Sequence, residues 1–175
     1  LSTLSLQDKG GDLHVHIFEQ GEELLRHFMQ VTTGEPTFDI IYDRLYDDAP
    51  HIVLDTKALT VTSFPLHHRV PCVGFRFDEK PKARHLRGDM AAYLGIPISD
   101  IPAIKDGADW TAPDGRVFEN ERLTLPPSPS CSYAYCSDTS YHRDTVEAVR
   151  GVDVLYHEAT YADDKKSRAR LHGHS

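Results

Sequence analysis

The sequence has few cysteines and no long hydrophobic run. Its 175 residues include three cysteines, Cys72, Cys131 and Cys136, with no Cys-x-x-Cys pair among them. An odd number of cysteines without that spacing argues against a disulfide framework and against a thiolate zinc site. No apolar stretch approaches the ~20 residues that a bilayer-spanning helix needs, and we expect no signal peptide. We therefore expect one soluble domain in a reducing cytoplasm, with no membrane segment.

Basic residues are also scarce, and the overall charge disfavours binding of a polyanion. The formal net charge is -8, and the acidity is concentrated in residues 1–60, which carry 11 of the 27 Asp and Glu but only 4 of the 19 Lys and Arg. A nucleic acid would have to use a local basic stretch such as Arg76, Lys80, Lys82, Arg84 and Arg87. A solvated surface is the simpler interpretation of that stretch. The eleven histidines exceed what a purely structural domain needs, and they direct attention to metal sites.

The first half of the chain combines strands with one helix. Alternating apolar and polar residues at 13–18 predict a strand, and apolar residues at helical spacing predict a helix over residues 21–30. Residues 38–46, 51–62 and 70–77 are rich in β-branched and aromatic side chains and predict three further strands.

The second half begins with an irregular segment. Residues 81–129 contain many charged residues together with scattered Gly and Pro. This composition predicts an insertion or arm, with one short helix at residues 88–94. The chain then shows a strand–helix–strand–helix pattern over residues 132–136, 141–150, 152–156 and 163–171. Because the crossover helix makes its two strands parallel, their carboxyl ends should meet at one sheet edge, where α/β folds gather their sites.

Two strand ends carry polar residues suited to chemistry. Asp138 follows the first strand between small hydroxyl residues, a setting that suits a carboxylate bridging two cations, although capping of the next helix is an equal alternative. His157 and Glu158 end the second strand, and because adjacent strand residues point to opposite faces, only one of them can face the site. His14 and His16 resemble the first metal pair of amidohydrolase barrels. The chain is too short for such a barrel, so we interpret them as one polar strand face.

Four blocks of sequence follow one another over residues 64–175. They are residues 64–77 (FPLHHRVPCVGFRF), 135–139 (YCSDT), 155–161 (LYHEATY) and 173–175 (GHS). Together they resemble the successive motifs of ribonuclease Z, the tRNA 3′-processing endonuclease of the metallo-β-lactamase fold. Residues 1–30 also resemble the segment after the family's first metal motif.

This resemblance implies an α/β fold, a partial metallo-β-lactamase-like αββα sandwich of mixed sheets flanked by helices. It implies one partial domain over residues 1–175 with an arm at about 81–130. The implied function is that of a zinc-dependent endoribonuclease that removes 3′ trailers from tRNA precursors. Two zinc ions would be the cofactor of the complete enzyme, a tRNA precursor its substrate, and a homodimer its assembly.

The resemblance also assigns residue roles. His68 would bind one zinc, with His67 as its neighbour, and Asp138 would bridge both ions. His174 would contact the scissile phosphate or protonate the leaving oxygen, and Glu158 would support His174.

The sequence departs from the family pattern in three places. The His-x-His-x-Asp-His motif that supplies most ligands is absent, and the last metal histidine would lie beyond Ser175. In the arm, residues 95–97 (GIP) continue into 98–100 (ISD) instead of a Gly-Pro-rich tip. We therefore expect an internal piece that is inactive and binds zinc poorly by itself, and that dimerises or aggregates through exposed strand edges.

Two alternatives remain open. Another hydrolase of the same fold, a phosphodiesterase or an arylsulfatase-like enzyme, would share much of the metal chemistry. A non-catalytic binding or dimerisation domain would have the same fold without the catalytic chemistry.

Overall fold

The computed structural model describes residues 11–32 and 38–175, so residues 1–10, the beginning of the segment that resembles the one after the family's first metal motif, lie outside the described residues. The strands are β1 (Leu13–Ile17), β2 (Ile40–Arg44), β3 (His51–Asp55), β4 (Leu59–Pro65), β5 (Val73–Glu79), β6 (His85–Leu86), β7 (Trp110–Thr111), β8 (Val117–Phe118), β9 (Thr124–Leu125), β10 (Ser132–Cys136) and β11 (Val154–His157). The α-helices are α1 (Glu19–Thr32), α2 (Gly88–Leu94), α3 (Ile101–Lys105), α4 (Asn120–Leu123), α5 (Arg143–Ala148) and α6 (Lys166–His172). Short 3₁₀ turns precede α3 and α6, at Ile98–Asp100 and Asp163–Lys165.

A mixed five-stranded sheet organises the residues that matter for function. Its strand order is β11-β10-β5-β4-β3. Strands β10 and β11 run parallel, as the strand–helix–strand pattern predicts, whereas β10 runs antiparallel to β5. The carboxyl ends of β10 and β11 therefore lie side by side. Strands β1 and β2 form a separate parallel pair joined through α1.

The core of this part of the chain lies between the sheet and α5. Phe64, Leu66 and Cys136 are buried together, with Ala148 and Val149 from the end of α5 packed against them. Gly74 allows Phe64 to approach closely, because a Cβ atom at this position would lie 2.5 Å from the phenyl ring. The packing fixes β4 and β10, and with them the loops that follow.

Three predicted elements need correction. The strand predicted over residues 51–62 is two strands, β3 and β4, because the Thr56 hydroxyl accepts bonds from the amides of Ala58 and Leu59 and closes a turn without Gly or Pro. The strand predicted from residue 70 begins at Val73, since Pro71 has no amide hydrogen for a ladder. The helix predicted over residues 141–150 is the shorter α5.

Residues Glu79–Cys131 form a compact unit distinct from the remainder of the chain. This unit has its own hydrophobic core of Ile96, Ile104, Trp110, Ala112 and Leu123. The predicted helix over residues 88–94 is present as α2.

No helix over residues 11–32 and 38–175 has the length and apolar character needed to cross a bilayer. The five-stranded sheet ends in β11 on one side and β3 on the other. Both edge strands expose apolar side chains, including Ile52 at 67% and Val154 at 58% of their full accessibility.

Candidate functional site

The candidate site lies where four loops meet beyond the ends of β4, β10, β11 and α6. The first two loops are joined at His67, whose amide donates to the Thr139 hydroxyl at 3.1 Å and whose carbonyl accepts from the Ser140 amide at 2.8 Å. The last two are joined by a bond from the Tyr161 amide to the Ser175 carbonyl, 3.0 Å long. Residues far apart in the sequence are therefore held at one sheet edge.

Glu158 and His174 form an ion-pair geometry inside this junction. The Nδ1 atom of His174 lies 2.8 Å from Oε1 of Glu158, and only 8% of the Glu158 side chain is exposed. The Thr139 amide donates to the same oxygen, and both the amide and the hydroxyl of Thr160 donate to the other. Each carboxylate oxygen of Glu158 is thus occupied by protein donors.

These contacts determine the charge state of Glu158. Burial raises the pKa of the carboxyl group, but the hydrogen bonds from Thr160, Thr139 and His174 outweigh it and hold the pKa below the ordinary 4.5. Glu158 is therefore ionised at neutral pH. Its charge orients the His174 ring with Nδ1–H toward the carboxylate and leaves Nε2 for a ligand.

His68 is held by the loop that carries His174. The Nδ1 atom of His68 lies 2.9 Å from the carbonyl oxygen of Gly173, and the two imidazole rings meet edge to face with centroids 4.8 Å apart. An Nδ1–H donated to a carbonyl leaves the lone pair on Nε2, which is the form of histidine that binds a metal. Gly173 has φ = 73°, and a Cβ atom there would lie 3.1 Å from Nδ1 of His68.

Asp138 is exposed at the end of β10, near Glu158 and His174. One ligand atom from each of these three residues lies within 4.8 Å of the others. The alternative of a helix cap is wrong, because the side chain that caps α5 belongs to His142. Among the described residues, no hydrogen bond is made to the Asp138 carboxylate. Asp138 is therefore the free anionic group of the site.

A second cluster of possible metal ligands lies beside the first. His67, His142 and Asp144 place one ligand atom each within 4.8 Å of one another. However, the rings of His67 and His142 are stacked with centroids 3.3 Å apart and planes 23° apart. Because an imidazole binds a metal in its own plane, two stacked rings cannot share one ion in this arrangement. No sequence pattern indicates a ligand role for His142, which lies within the helix predicted over residues 141–150.

The remaining candidate histidines make ordinary polar contacts. Nδ1 of His14 lies 2.7 Å from the Asp43 carboxylate of the neighbouring strand, so His14 belongs to a polar strand face. Nδ1 of His157 lies 2.7 Å from the carbonyl oxygen of Glu158. Of this adjacent pair, Glu158 reaches the site through its side chain.

The donor set fits a metal only in part. His68 presents an oriented imidazole and Asp138 an unpartnered carboxylate, which are both ligand types that zinc accepts. Glu158 does not fit as a ligand, since its two oxygens are already used by protein donors. A cavity of about 450 Å³ opens beside His174 and is lined by Tyr141, Tyr161 and Arg170 among others, so a ligand can reach the His174 imidazole.

The basic stretch noted in the sequence is largely engaged within the protein. Arg76 donates to Asp78 and to the carbonyls of Ala148 and Arg150, and so fastens α5 to the sheet. Lys82 pairs with Glu79 at 2.7 Å. These contacts favour a structural role for the two cations.

Comparison with known proteins finds curated relatives that share one name. No family model matches the chain. It is 37% identical over 175 residues to a protein named Ribonuclease Z from Bacteroides thetaiotaomicron, covering 100% of the chain and 55% of the relative. It is 39% identical to the Ribonuclease Z of Porphyromonas gingivalis, covering 100% of the chain and 58% of the relative. The chain thus spans a little more than half the length of the curated relatives it matches.

A solved structure shows the same fold. Human tRNase Z, short form, matches with a TM-score of 0.63 at 18% identity, over 100% of this chain and 56% of that chain. The predicted fold, part of a metallo-β-lactamase-like α/β sandwich, is confirmed.

Proposed function

We propose that this chain belongs to a ribonuclease Z homologue, and that the full-length protein is a zinc-dependent endoribonuclease that removes 3′ trailers from tRNA precursors. The observation that carries the proposal is the meeting of Asp138, Glu158 and His174 within 4.8 Å at the edge of the sheet. The sequence similarity runs through every loop that contributes to this edge.

We propose that His68 and Asp138 are the zinc ligands of this part of the protein. His68 would bind through Nε2, with the Gly173 carbonyl holding its ring. Asp138 would bind through its exposed carboxylate. When bound, zinc would activate the attacking water and neutralise charge on the phosphate.

We propose that His174 acts on the leaving oxygen and that Glu158 positions it. When the phosphorus–oxygen bond breaks, a protonated His174 gives the proton on Nε2 to the departing oxygen and becomes neutral. Ionised Glu158 accepts a hydrogen bond from Nδ1 of His174 and so fixes the orientation of the imidazole. The Nδ1···Oε1 distance of 2.8 Å is that of a well-formed hydrogen bond.

We propose that residues 81–130 form an arm inserted into the partial domain. Their separate hydrophobic core supports an insertion that folds around its own apolar side chains.

Cleavage of a 3′-extended tRNA precursor tests the proposal. The full-length protein with zinc should release a 3′ trailer, and Asp138→Ala should abolish the release while leaving the fold intact, because the side chain is exposed. Asp164→Ala, at an exposed aspartate in the 3₁₀ turn before α6, is the matched control and should keep full activity. Turnover of a small chromogenic phosphodiester without any tRNA cleavage would instead favour another hydrolase of the same fold.

We further propose a cytoplasmic homodimer. Free thiols at Cys72, Cys131 and Cys136 suit a reducing compartment, and the exposed edge strands of the sheet suit pairing. Light scattering of the full-length protein should give twice the mass of one chain. A clean monomer would contradict the dimer.

A further inference from the structure

Every polar group of Thr139 is hydrogen-bonded within the candidate site. The residue is fully buried, and its amide donates to Glu158 at 2.7 Å. Its carbonyl accepts from the hydroxyl of Ser175 at 2.9 Å. Thr139 therefore contacts the loop after β11 and the loop after α6 through its backbone.

The side chain of Thr139 reaches a third loop. Its hydroxyl accepts from the amide of His67 at 3.1 Å and donates to the carbonyl of Ser140 at 3.0 Å. Ser140 in turn donates through both its amide and its hydroxyl to the carbonyl of His67. The peptide groups on both sides of His67 are thus clamped, immediately before His68.

From this arrangement we infer that Thr139 is a positioning residue, whose hydroxyl fixes the loop of His68 against the loop of Asp138. The inference rests on the proposed function, in which His68 and Asp138 hold zinc. Thr139 has no role as a ligand, because its hydroxyl faces His67 and Ser140 and has no accessible surface.

The physical reason is that a metal site requires its ligands to be placed before the ion arrives. Asp138 precedes Thr139 in the chain and His68 follows the residue that Thr139 clamps, so one hydroxyl acts on both ligands. Groups that orient ligands in this way typically change metal affinity or activity by about 10–100-fold when they are removed.

Two substitutions separate the hydroxyl from the shape of the side chain. Thr139→Val keeps the shape but leaves the His67 amide without its acceptor, whereas Thr139→Ser keeps the hydroxyl and loses one methyl group. Thr145→Val is the matched control, because Thr145 is also buried, in α5, and its hydroxyl makes no hydrogen bond within the described residues.

The readout is the zinc dissociation constant of the full-length protein, measured by competition with a chromophoric chelator. We expect Thr139→Val to weaken zinc binding by about 10–100-fold, and Thr139→Ser and Thr145→Val to stay within about threefold of wild type. A Thr139→Val protein that is folded by circular dichroism and binds zinc as tightly as wild type would overturn the inference.

The result also distinguishes this inference from the proposed function. Zinc binding by the wild type with no effect of Thr139→Val would remove the positioning role and leave the endonuclease proposal standing. A full-length wild-type protein that binds no zinc would overturn both. Equal weakening by Thr139→Val and Thr139→Ser would also contradict the inference, because the hydroxyl would then not be the cause.

Discussion

Replacing Glu158 by Gln removes the charge at the centre of the site while keeping its shape. The amide oxygen of Gln can accept the bonds from the Thr139 amide and from His174, as Oε1 of Glu158 does now. The amide nitrogen would then face Thr160, whose hydroxyl can turn to accept but whose backbone amide loses its acceptor. The substitution therefore costs one hydrogen bond and turns the others from charged to neutral.

The magnitude follows from the number and kind of these bonds. A hydrogen bond to a charged group contributes about 1.5–3 kcal/mol and a neutral one about 0.5–1.5 kcal/mol. The three remaining bonds lose about 1 kcal/mol each when they become neutral, whereas water can replace the acceptor of the exposed Thr160 amide. Burial disfavours the charged carboxylate, so a neutral side chain regains part of this loss, and we expect a net loss of about 2 kcal/mol of unfolding free energy. The loss in turnover should be larger, about 100-fold or more, because general acid catalysis depends on the orientation of His174 that Glu158 fixes.

The assay combines urea unfolding, tRNA-precursor turnover and zinc content of the full-length protein. Glu147→Gln is the matched control, since Glu147 is an exposed carboxylate that pairs with Arg150 on the surface. Turnover should fall in Glu158→Gln alone, and zinc content should stay at the wild-type value in both variants. Loss of zinc from Glu158→Gln would refute the reasoning, because it would make Glu158 a ligand instead of a positioning group.

Three more predictions concern pH, backbone and thiols. Because the folded pKa of Glu158 lies below the ordinary 4.5, its contribution to stability is full at higher pH and disappears as pH falls through the folded pKa. The unfolding free energies of wild type and Glu158→Gln, measured in urea, should therefore converge below pH 4.5. Gly115 has φ = 85° and open space around it, so Gly115→Ala should lower the free energy of unfolding by about 1 kcal/mol through backbone strain alone. Gly173→Ala should lower the free energy of unfolding by more than Gly115→Ala does and should also weaken zinc binding, because its Cβ would contact His68. Equal losses of unfolding free energy in the two variants, with unchanged zinc affinity, would contradict this. Burial raises the pKa of Cys136 to about 11, so iodoacetamide at pH 8 should label exposed Cys131 and spare Cys136 until urea unfolds the protein.

The edge of the sheet could be predicted from the sequence because it depends on local pattern. A strand–helix–strand run makes β10 and β11 parallel whatever the other contacts are, so Asp138 and Glu158 had to come close together. The turn at Thr56 could not be predicted in this way. A hydroxyl closes it instead of Gly or Pro, and its sequence reads as an uninterrupted strand.

The partners of Glu158 and Gly173 depend on distant contacts. His174 lies 16 residues from Glu158, and His68 lies 105 residues from the Gly173 carbonyl that holds it. No periodicity connects positions so far apart, and only the resemblance to ribonuclease Z placed these histidines in one site. Thr139 belongs to the block of residues 135–139, but no sequence pattern indicates the role of its side chain, which is recognised only from its hydrogen bonds.

Native mass spectrometry of the full-length protein tests the central claim most directly, because it counts the metal ions bound to each chain. The account predicts two zinc ions in the wild type, their loss in Asp138→Ala, and their retention in Glu158→Gln. A wild-type chain without zinc, or an Asp138→Ala chain that keeps both ions, would contradict it.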